Sequence, residues 1–167
     1  MNPISIRRAE RDDLPALAAI YNHYVVHTHV SFDLEPPTLD ERGEWLAGFA
    51  ATGRYQCFVA VKDGTAIGWA CSGRFKDRKA YGTSVETSVY LAPDGQGLGL
   101  GTRLYETLIG ALGGEDVHRL VAVIALPNAA SVALHEKLGF RHVGTFSQIG
   151  RKFDRFWDVA WYGRKMA

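Results

Sequence analysis

The stretch Val89-Tyr90-Leu91-Ala92-Pro93-Asp94-Gly95-Gln96-Gly97-Leu98-Gly99-Leu100-Gly101-Thr102 decides the fold. A β-like run stops at Pro93, passes through a glycine-rich turn and feeds directly into a helical pattern. Glycines at 95, 97, 99 and 101 remove side chains where backbone N–H groups can converge, and the positive end of the following helix dipole points at the same spot. Such a device binds phosphates. It is not a Walker A loop, because no Gly-Lys-Ser/Thr follows, and its spacing is not a clean GxGxxG. It also lies past the middle of the chain, too late to open a first βα unit.

The strand that delivers the turn spans 83–91 and alternates. Val85, Thr87, Val89 and Leu91 share one face, and Ser84, Glu86, Ser88 and Tyr90 the other. Before it come strands at 56–62 and 66–75 with an Asp63-Gly64 hairpin signal between them. Further upstream, 4–8 reads as a strand. Asp12 or Asp13 is placed to cap a helix through Leu14, Leu17, Ala18, Ile20, Tyr21, Tyr24 and Val25. After a loop over 32–37, Thr38 and Glu41 form a capping box for a second helix carrying Trp45, Leu46 and Phe49. Downstream, a helix over 99–112 carries Leu100, Leu104 and Leu108 on one stripe, and 119–125 is a buried-type strand. A helix then runs from Pro127-Asn128 to Gly139, and two strands at 140–149 and 156–164 close the chain. The order β-α-α-β-β-β-α-β-α-β-β is an α/β fold with a mixed sheet. No linker or repeat interrupts it, so residues 1–167 read as a single domain.

Composition excludes several classes. A net charge of +1 with 22% charged residues gives no global basic field for nucleic acid. Apolar runs are broken within a few residues, so no membrane span is expected. The opening Met1-Asn2-Pro3-Ile4-Ser5-Ile6-Arg7-Arg8 has no apolar signal core. Cys57 and Cys71 read as reduced core thiols of a cytoplasmic protein, with no neighbouring base to activate either.

Some residues admit two readings. Glu86 in mid-strand is either half of a salt bridge or a general base at a polar cleft. His135, one turn after Ser131, is a satisfied core group or a catalytic one. Asn128 is an N-cap or a cofactor contact. Arg74, Lys76, Arg78 and Lys79 form a solvated hairpin tip or an anion clamp. His23, His27 and His29 have no carboxylate or thiolate partner at ligand spacing, so no metal is expected.

Gln96-Gly97-Leu98-Gly99-Leu100-Gly101 fits the Q/R-x-x-G-x-G/A pattern of the GCN5-related N-acetyltransferases (GNAT), and the stretch from Leu126 to Phe140 resembles their second acetyl-CoA segment. More narrowly, Asn22-His23-Tyr24, Thr83 through Tyr90, Leu134-His135-Glu136 and Asp158-Val159 resemble the phosphinothricin N-acetyltransferase branch, which includes enzymes acting on methionine sulfoximine and methionine sulfone. The resemblance implies the GNAT fold: a mixed, mostly antiparallel twisted sheet of about seven strands flanked by about four helices.

It also implies acetyl-CoA as co-substrate, held by Val89, Tyr90, Leu91, Gln96, Gly97, Leu98, Gly99, Leu100, Gly101, Thr102, Asn128 and Ser131. Glu86 would be the base and His135 would stand near the thioester. Phe32, Lys76, Arg78, Tyr81 and Val159 would hold a small glutamate- or methionine-like amino acid. A homodimer is implied as well. The turn departs from the branch in one respect. Gly97 and Leu98 stand where basic residues are common, so the pyrophosphate would depend on backbone N–H groups, with Arg103 the nearest basic side chain. An acetyltransferase for another amine would share this cofactor site without needing Lys76 and Arg78. A non-catalytic acyl-CoA-binding module would need neither Glu86 nor His135.

Overall fold

A computed structural model describes residues 3–167; Met1 and Asn2, which the single-domain and signal readings also covered, lie outside the described residues. Strands β1 (Ser5–Arg8), β2 (Cys57–Lys62), β3 (Thr65–Arg74), β4 (Ser84–Leu91), β5 (Arg119–Ala125), β6 (Arg141–Lys152) and β7 (Arg155–Lys165) form one sheet in the order β1-β2-β3-β4-β5-β7-β6. Helices α1 (Leu14–His27), α2 (Leu39–Ala47), α3 (Leu100–Leu112) and α4 (Ala129–Lys137) flank it. Every neighbouring pair is antiparallel except β4 and β5.

That one parallel pair shapes the molecule. Only Ser84, Val85 and Glu86 pair, opposite Arg119, Leu120 and Val121. Beyond them the strands diverge. β4 stays with β3 as far as Leu91, while β5 stays with β7 as far as Ala125. The sheet is therefore forked, and Glu86 is the last residue of β4 paired with β5.

Each face of the sheet is covered by its own core. Leu100, Leu104, Leu108 and Leu112 of α3 are fully buried against Phe58, Ala70, Val85 and Leu120. Such side chains each contribute on the order of 1.5–3 kcal/mol by leaving water. On the other face, Leu17 and Ile20 of α1 meet Val59, Trp69 and Cys71. There the Arg42 guanidinium of α2 stacks 3.7 Å over Trp45 and 4.5 Å over Tyr21.

Local chemistry accounts for most boundaries. Thr38 Oγ1 accepts from Glu41 N–H at 3.2 Å while Glu41 accepts from Thr38 N–H at 2.7 Å, closing the expected capping box. Asp63 (φ +50°) and Gly64 (φ +80°) make the hairpin turn, and Gly139 (φ +82°) ends α4. Two expectations are corrected. Asp13 stands before α1 but does not cap it with its side chain: the carboxylate takes two hydrogen bonds from Arg7, at 2.7 and 2.9 Å, and one from Glu10 N–H at 2.8 Å, which closes the short turn ahead of the helix. Strand β6 runs to Lys152 rather than stopping at 149, and turns into β7 through Phe153 and Asp154, both near φ +55°. Neither turn residue is glycine, so the hairpin carries no punctuation in the sequence.

Candidate active site

The fork holds a cavity of about 500 Å³. One wall is β4 from Thr87 to Leu91, the other is β5 from Ala122 to Ala125, and the floor is α3 and α4. Of the residues expected at a cofactor, Val89, Tyr90, Leu91, Gln96, Gly97, Gly99, Leu100, Gly101, Thr102, Asn128 and Ser131 all line it. Leu98 is the exception. Its side chain is half exposed and turned to solvent, so this position adds only backbone between two glycines.

The cradle is made of main chain. Gly97 (φ +74°) and Gly99 (φ +70°) adopt the left-handed conformation, and a side chain on either would meet open space. The first amide of α3 to reach an acceptor in the preceding turn is Arg103 N–H, on Gly99 carbonyl at 3.2 Å. The N–H groups of Leu100, Gly101 and Thr102 therefore precede any intrahelical partner and open onto the cavity. Arg103 is engaged elsewhere, its guanidinium donating to the Ile4 carbonyl at 3.0 Å. Gln96 Nε2 reaches Tyr24 Oη at 3.2 Å, and that hydroxyl donates to the Leu91 carbonyl at 2.6 Å. Asn128 caps α4, its side chain accepting from Ser131 N–H at 3.2 Å, and it also lines the cavity.

Register decides which backbone groups of β4 face the fork. Ala92 N–H bonds the Ile67 carbonyl, and alternation in an antiparallel pair then turns Ala92, Tyr90 and Ser88 toward β3. The N–H and C=O of Val89 and Leu91 consequently point into the open side, in line with Tyr24 binding the Leu91 carbonyl.

At the closed end of the cavity a buried polar chain links α4, α3 and β4. His135 Nδ1 lies 2.7 Å from the Ser131 carbonyl, which only accepts, so Nδ1 carries the proton. Burial holds the imidazole below the usual histidine range, with the Ser131 bond opposing, and the neutral ring presents a lone pair at Nε2. The Tyr105 hydroxyl, 2.8 Å away, donates to it, and the same hydroxyl lies 3.2 Å from Thr87 Oγ1. Tyr105 and Thr87 were hidden in apolar patterns of the sequence, Tyr105 beside the Leu100, Leu104 and Leu108 stripe and Thr87 between two valines.

The remaining predicted residues do not line the cavity. Glu86 does not line the cavity; it stands at the fork's apex with its side chain on the α1–α2 side. Burial raises its carboxyl pKa above the ordinary range, and the Lys76 ammonium pulls it back. Lys76 Nζ sits 5.5 Å from the Phe75 ring and 5.7 Å from Trp161. Tyr81 meets Phe75 edge-on at 5.8 Å, and Arg78 precedes the short turn that carries Tyr81. Val159 is buried between Ala125 of β5 and Phe146 of β6. Arg74 pairs with Asp77 at 3.7 Å and is separate from this group.

Other candidates are accounted for. Burial raises both thiols, Cys71 to about 12, which leaves them no thiolate near neutrality. The His23 and His27 rings are 5.1 Å apart, and His29 stacks on Trp157 at 4.2 Å. No group of three or more side chains among the described residues is arranged to hold a metal ion.

Comparison with known proteins agrees with this architecture. A family described as an acetyltransferase (GNAT) domain matches residues 6–161. A phosphinothricin N-acetyltransferase of Streptomyces coelicolor is 47% identical over 98% of this chain and 96% of its own. An L-methionine sulfoximine/L-methionine sulfone acetyltransferase of Pseudomonas aeruginosa is 36% identical over 93% of this chain and 90% of its own. Among solved structures, an acetyltransferase of Salmonella typhimurium with its cofactor acetyl-CoA superposes with a TM-score of 0.93 at 32% identity, covering 99% of this chain and 95% of that one. The forked sheet, its glycine cradle and these matches place the chain in the GNAT family of acetyltransferases.

Proposed function

We propose that this enzyme transfers an acetyl group from acetyl-CoA to the α-amino group of a small amino acid resembling glutamate or methionine, such as phosphinothricin, methionine sulfoximine or methionine sulfone. The observation that carries this reading is the division of the fork. A main-chain anion cradle opens on one face of the sheet, and a carboxylate under a lysine stands on the other, with the parting strands between them.

Gln96 through Thr102 would hold the pyrophosphate through backbone N–H groups, and the free edge of β4 at Val89 and Leu91 would pair with the pantetheine arm as an added strand does. Acetyl-CoA supplies an activated acyl group as a thioester. The amine arrives as an ammonium with no lone pair, so Glu86 removes its proton, directly or through water. Such a base is worth on the order of 10²–10⁴ in rate. Its raised pKa suits the task, because a carboxylate of ordinary acidity would be a poor base near neutrality. Val89 N–H, turned into the fork, donates to the negative charge developing on the acyl oxygen. At the closed end, the Tyr105 hydroxyl would turn from His135 Nε2 to hydrogen-bond the leaving sulfur, which takes up the proton that the nitrogen sheds on becoming an amide. Transfer is direct, since neither thiol provides a nucleophile for an acyl-enzyme.

Lys76 and Arg78 would hold the acceptor's carboxylate and its acidic side-chain end, with Phe32, Tyr81 and Val159 shaping the apolar part. The edge strand β6 leaves Val143, Phe146 and Ile149 exposed, and Phe153 and Phe156 beside them, the kind of apolar edge that a second copy covers in a homodimer.

Thiol release from acetyl-CoA in the presence of a panel of amines tests the assignment. Methionine sulfoximine and phosphinothricin should be turned over and free methionine poorly. Turnover of polyamines or aminoglycosides instead would move the enzyme to another acceptor class. Acetyl-CoA binding without turnover of any amine would mark a binding module.

A further inference from the structure

The segment 28–33 crosses between α1 and α2 and carries Phe32. Three contacts from the β6–β7 hairpin fix it, although more than a hundred residues separate the two in sequence. Lys152 is buried at the end of β6, and its ammonium donates to the Val25 carbonyl at 2.6 Å and the Ser31 carbonyl at 2.7 Å. The first of these is an orphan carbonyl in the last turn of α1, where a cation also meets the negative end of the helix dipole. The second clamps the segment one residue before Phe32. Gly150, two residues back along β6, lies under the Phe32 ring: a Cβ there would come within 2.2 Å of Cε2 and 2.4 Å of Cζ. His29 stacks on Trp157 of β7 at 4.2 Å with 7° between the planes and donates from Nε2 to the Pro127 carbonyl at 2.9 Å. Trp157 in turn donates from Nε1 to the Lys152 carbonyl at 2.9 Å.

The segment also reaches the cofactor cavity, because Val30 lines it and Pro127 adjoins the α4 cap. It is a strap pinned between the end of α1, the β6–β7 hairpin and the α4 cap. We propose that Lys152 and Gly150 are positioning residues that set acceptor recognition by fixing this strap and the Phe32 ring on it. The inference rests on the acceptor reading above for its functional consequence, and on contacts alone for its structural one.

Two variants separate these levels. Lys152→Met removes the ammonium and keeps an unbranched apolar stem. Gly150→Ala keeps Lys152 and adds one methyl that the Phe32 ring must vacate; Gly150 is not at positive φ, so the backbone accepts alanine. Loss of two buried, charge-assisted hydrogen bonds should raise KM for the acceptor amino acid ~10-fold or more in Lys152→Met, with kcat within ~3-fold and KM for acetyl-CoA within ~2-fold. Gly150→Ala should raise acceptor KM in the same selective way, by roughly 5-fold.

Amide hydrogen exchange read over residues 28–33 supplies a measurement independent of turnover. Lys152→Met should speed exchange there and leave β2, β3 and α3 protected as in the unmodified protein. The proposal is overturned if acceptor KM stays within ~2-fold of the parent in both variants, or if KM for acetyl-CoA rises in parallel. Unchanged exchange over 28–33 in Lys152→Met also overturns it. If the parent enzyme acetylates no amino acid, the acceptor reading falls while the exchange data still decide whether the strap is pinned by Lys152.

Discussion

The two sides of the forked sheet are built from different materials. The cavity side uses main chain: glycines 97 and 99 at positive φ, the exposed amides at the start of α3, and the alternation of β4 that turns Val89 and Leu91 into the gap. The proposed acceptor side draws on side chains from four distant segments: Glu86 on β4, Lys76 and Arg78 before it, Phe32 after α1, and Val159 with Lys152 on the final hairpin. Backbone amides recognise a diphosphate whatever it is attached to, so they suit a donor that does not change. Side chains are free to be exchanged one at a time, which suits an acceptor site that differs among enzymes of one fold. The comparison predicts separable kinetics. Changes on the cavity side should move acetyl-CoA parameters for every acceptor, and changes on the other side should move acceptor parameters alone.

The largest effect should come from Glu86→Gln. The amide keeps the shape and accepts no proton, so kcat/KM at neutral pH should fall by ~10²–10⁴ while KM for acetyl-CoA stays put. A rate near that of the parent would make Glu86 a structural residue and remove the chemical half of the contrast. Arg78→Ala should come next. Losing a charge-assisted bond of about 1.5–3 kcal/mol to a carboxylate raises acceptor KM roughly 10- to 100-fold. The same substitution should leave an acceptor lacking that carboxylate unaffected, and an equal loss for both acceptors would break the clamp assignment.

On the cavity side, Gly99→Ala asks a Cβ-bearing residue to hold φ +70°, at a cost of roughly 1–2 kcal/mol. Open space beyond that α-carbon means no clash adds to it. Acetyl-CoA KM should rise about 10-fold and equally for all acceptors. A rise that depends on the acceptor would show that the two sides are coupled rather than separate.

The same division explains what could be read from the sequence. The cradle is a local feature, with its strand, proline, glycines and helix start inside fourteen consecutive residues, and the capping box at Thr38 and Glu41 is equally local. The element order follows from such signals, and the mixed sheet with it. Tyr105 was not legible because a tyrosine beside a leucine stripe looks like core until His135 is brought within 2.8 Å of it. Lys152 was not legible for a similar reason: its partners are 121 and 127 residues away, and its hairpin turns on Phe153 and Asp154 without a glycine. Arg103 was not legible either: it neighbours the turn in sequence, yet its guanidinium donates to the Ile4 carbonyl.

The smallest effect tests how the proposed base is tuned. Burial raises the Glu86 pKa, because it penalises the carboxylate, and the Lys76 charge opposes that by favouring it. A base acts when deprotonated, so kcat/KM should climb with pH through the Glu86 pKa, and this acid limb should lie above the ordinary carboxylate range. Lys76→Met removes the opposing term and leaves the burial. The Glu86 pKa then rises further, and the acid limb moves to higher pH. At neutral pH the loss from this cause should be only a few-fold, but it should be recovered as pH increases, whereas lost acceptor binding would persist at every pH. Measuring kcat at saturating acceptor alongside kcat/KM separates the two. A limb that stays in place, or moves to lower pH, would mean that Lys76 serves the acceptor carboxylate alone and that Glu86 owes its basicity wholly to burial at the apex of the fork.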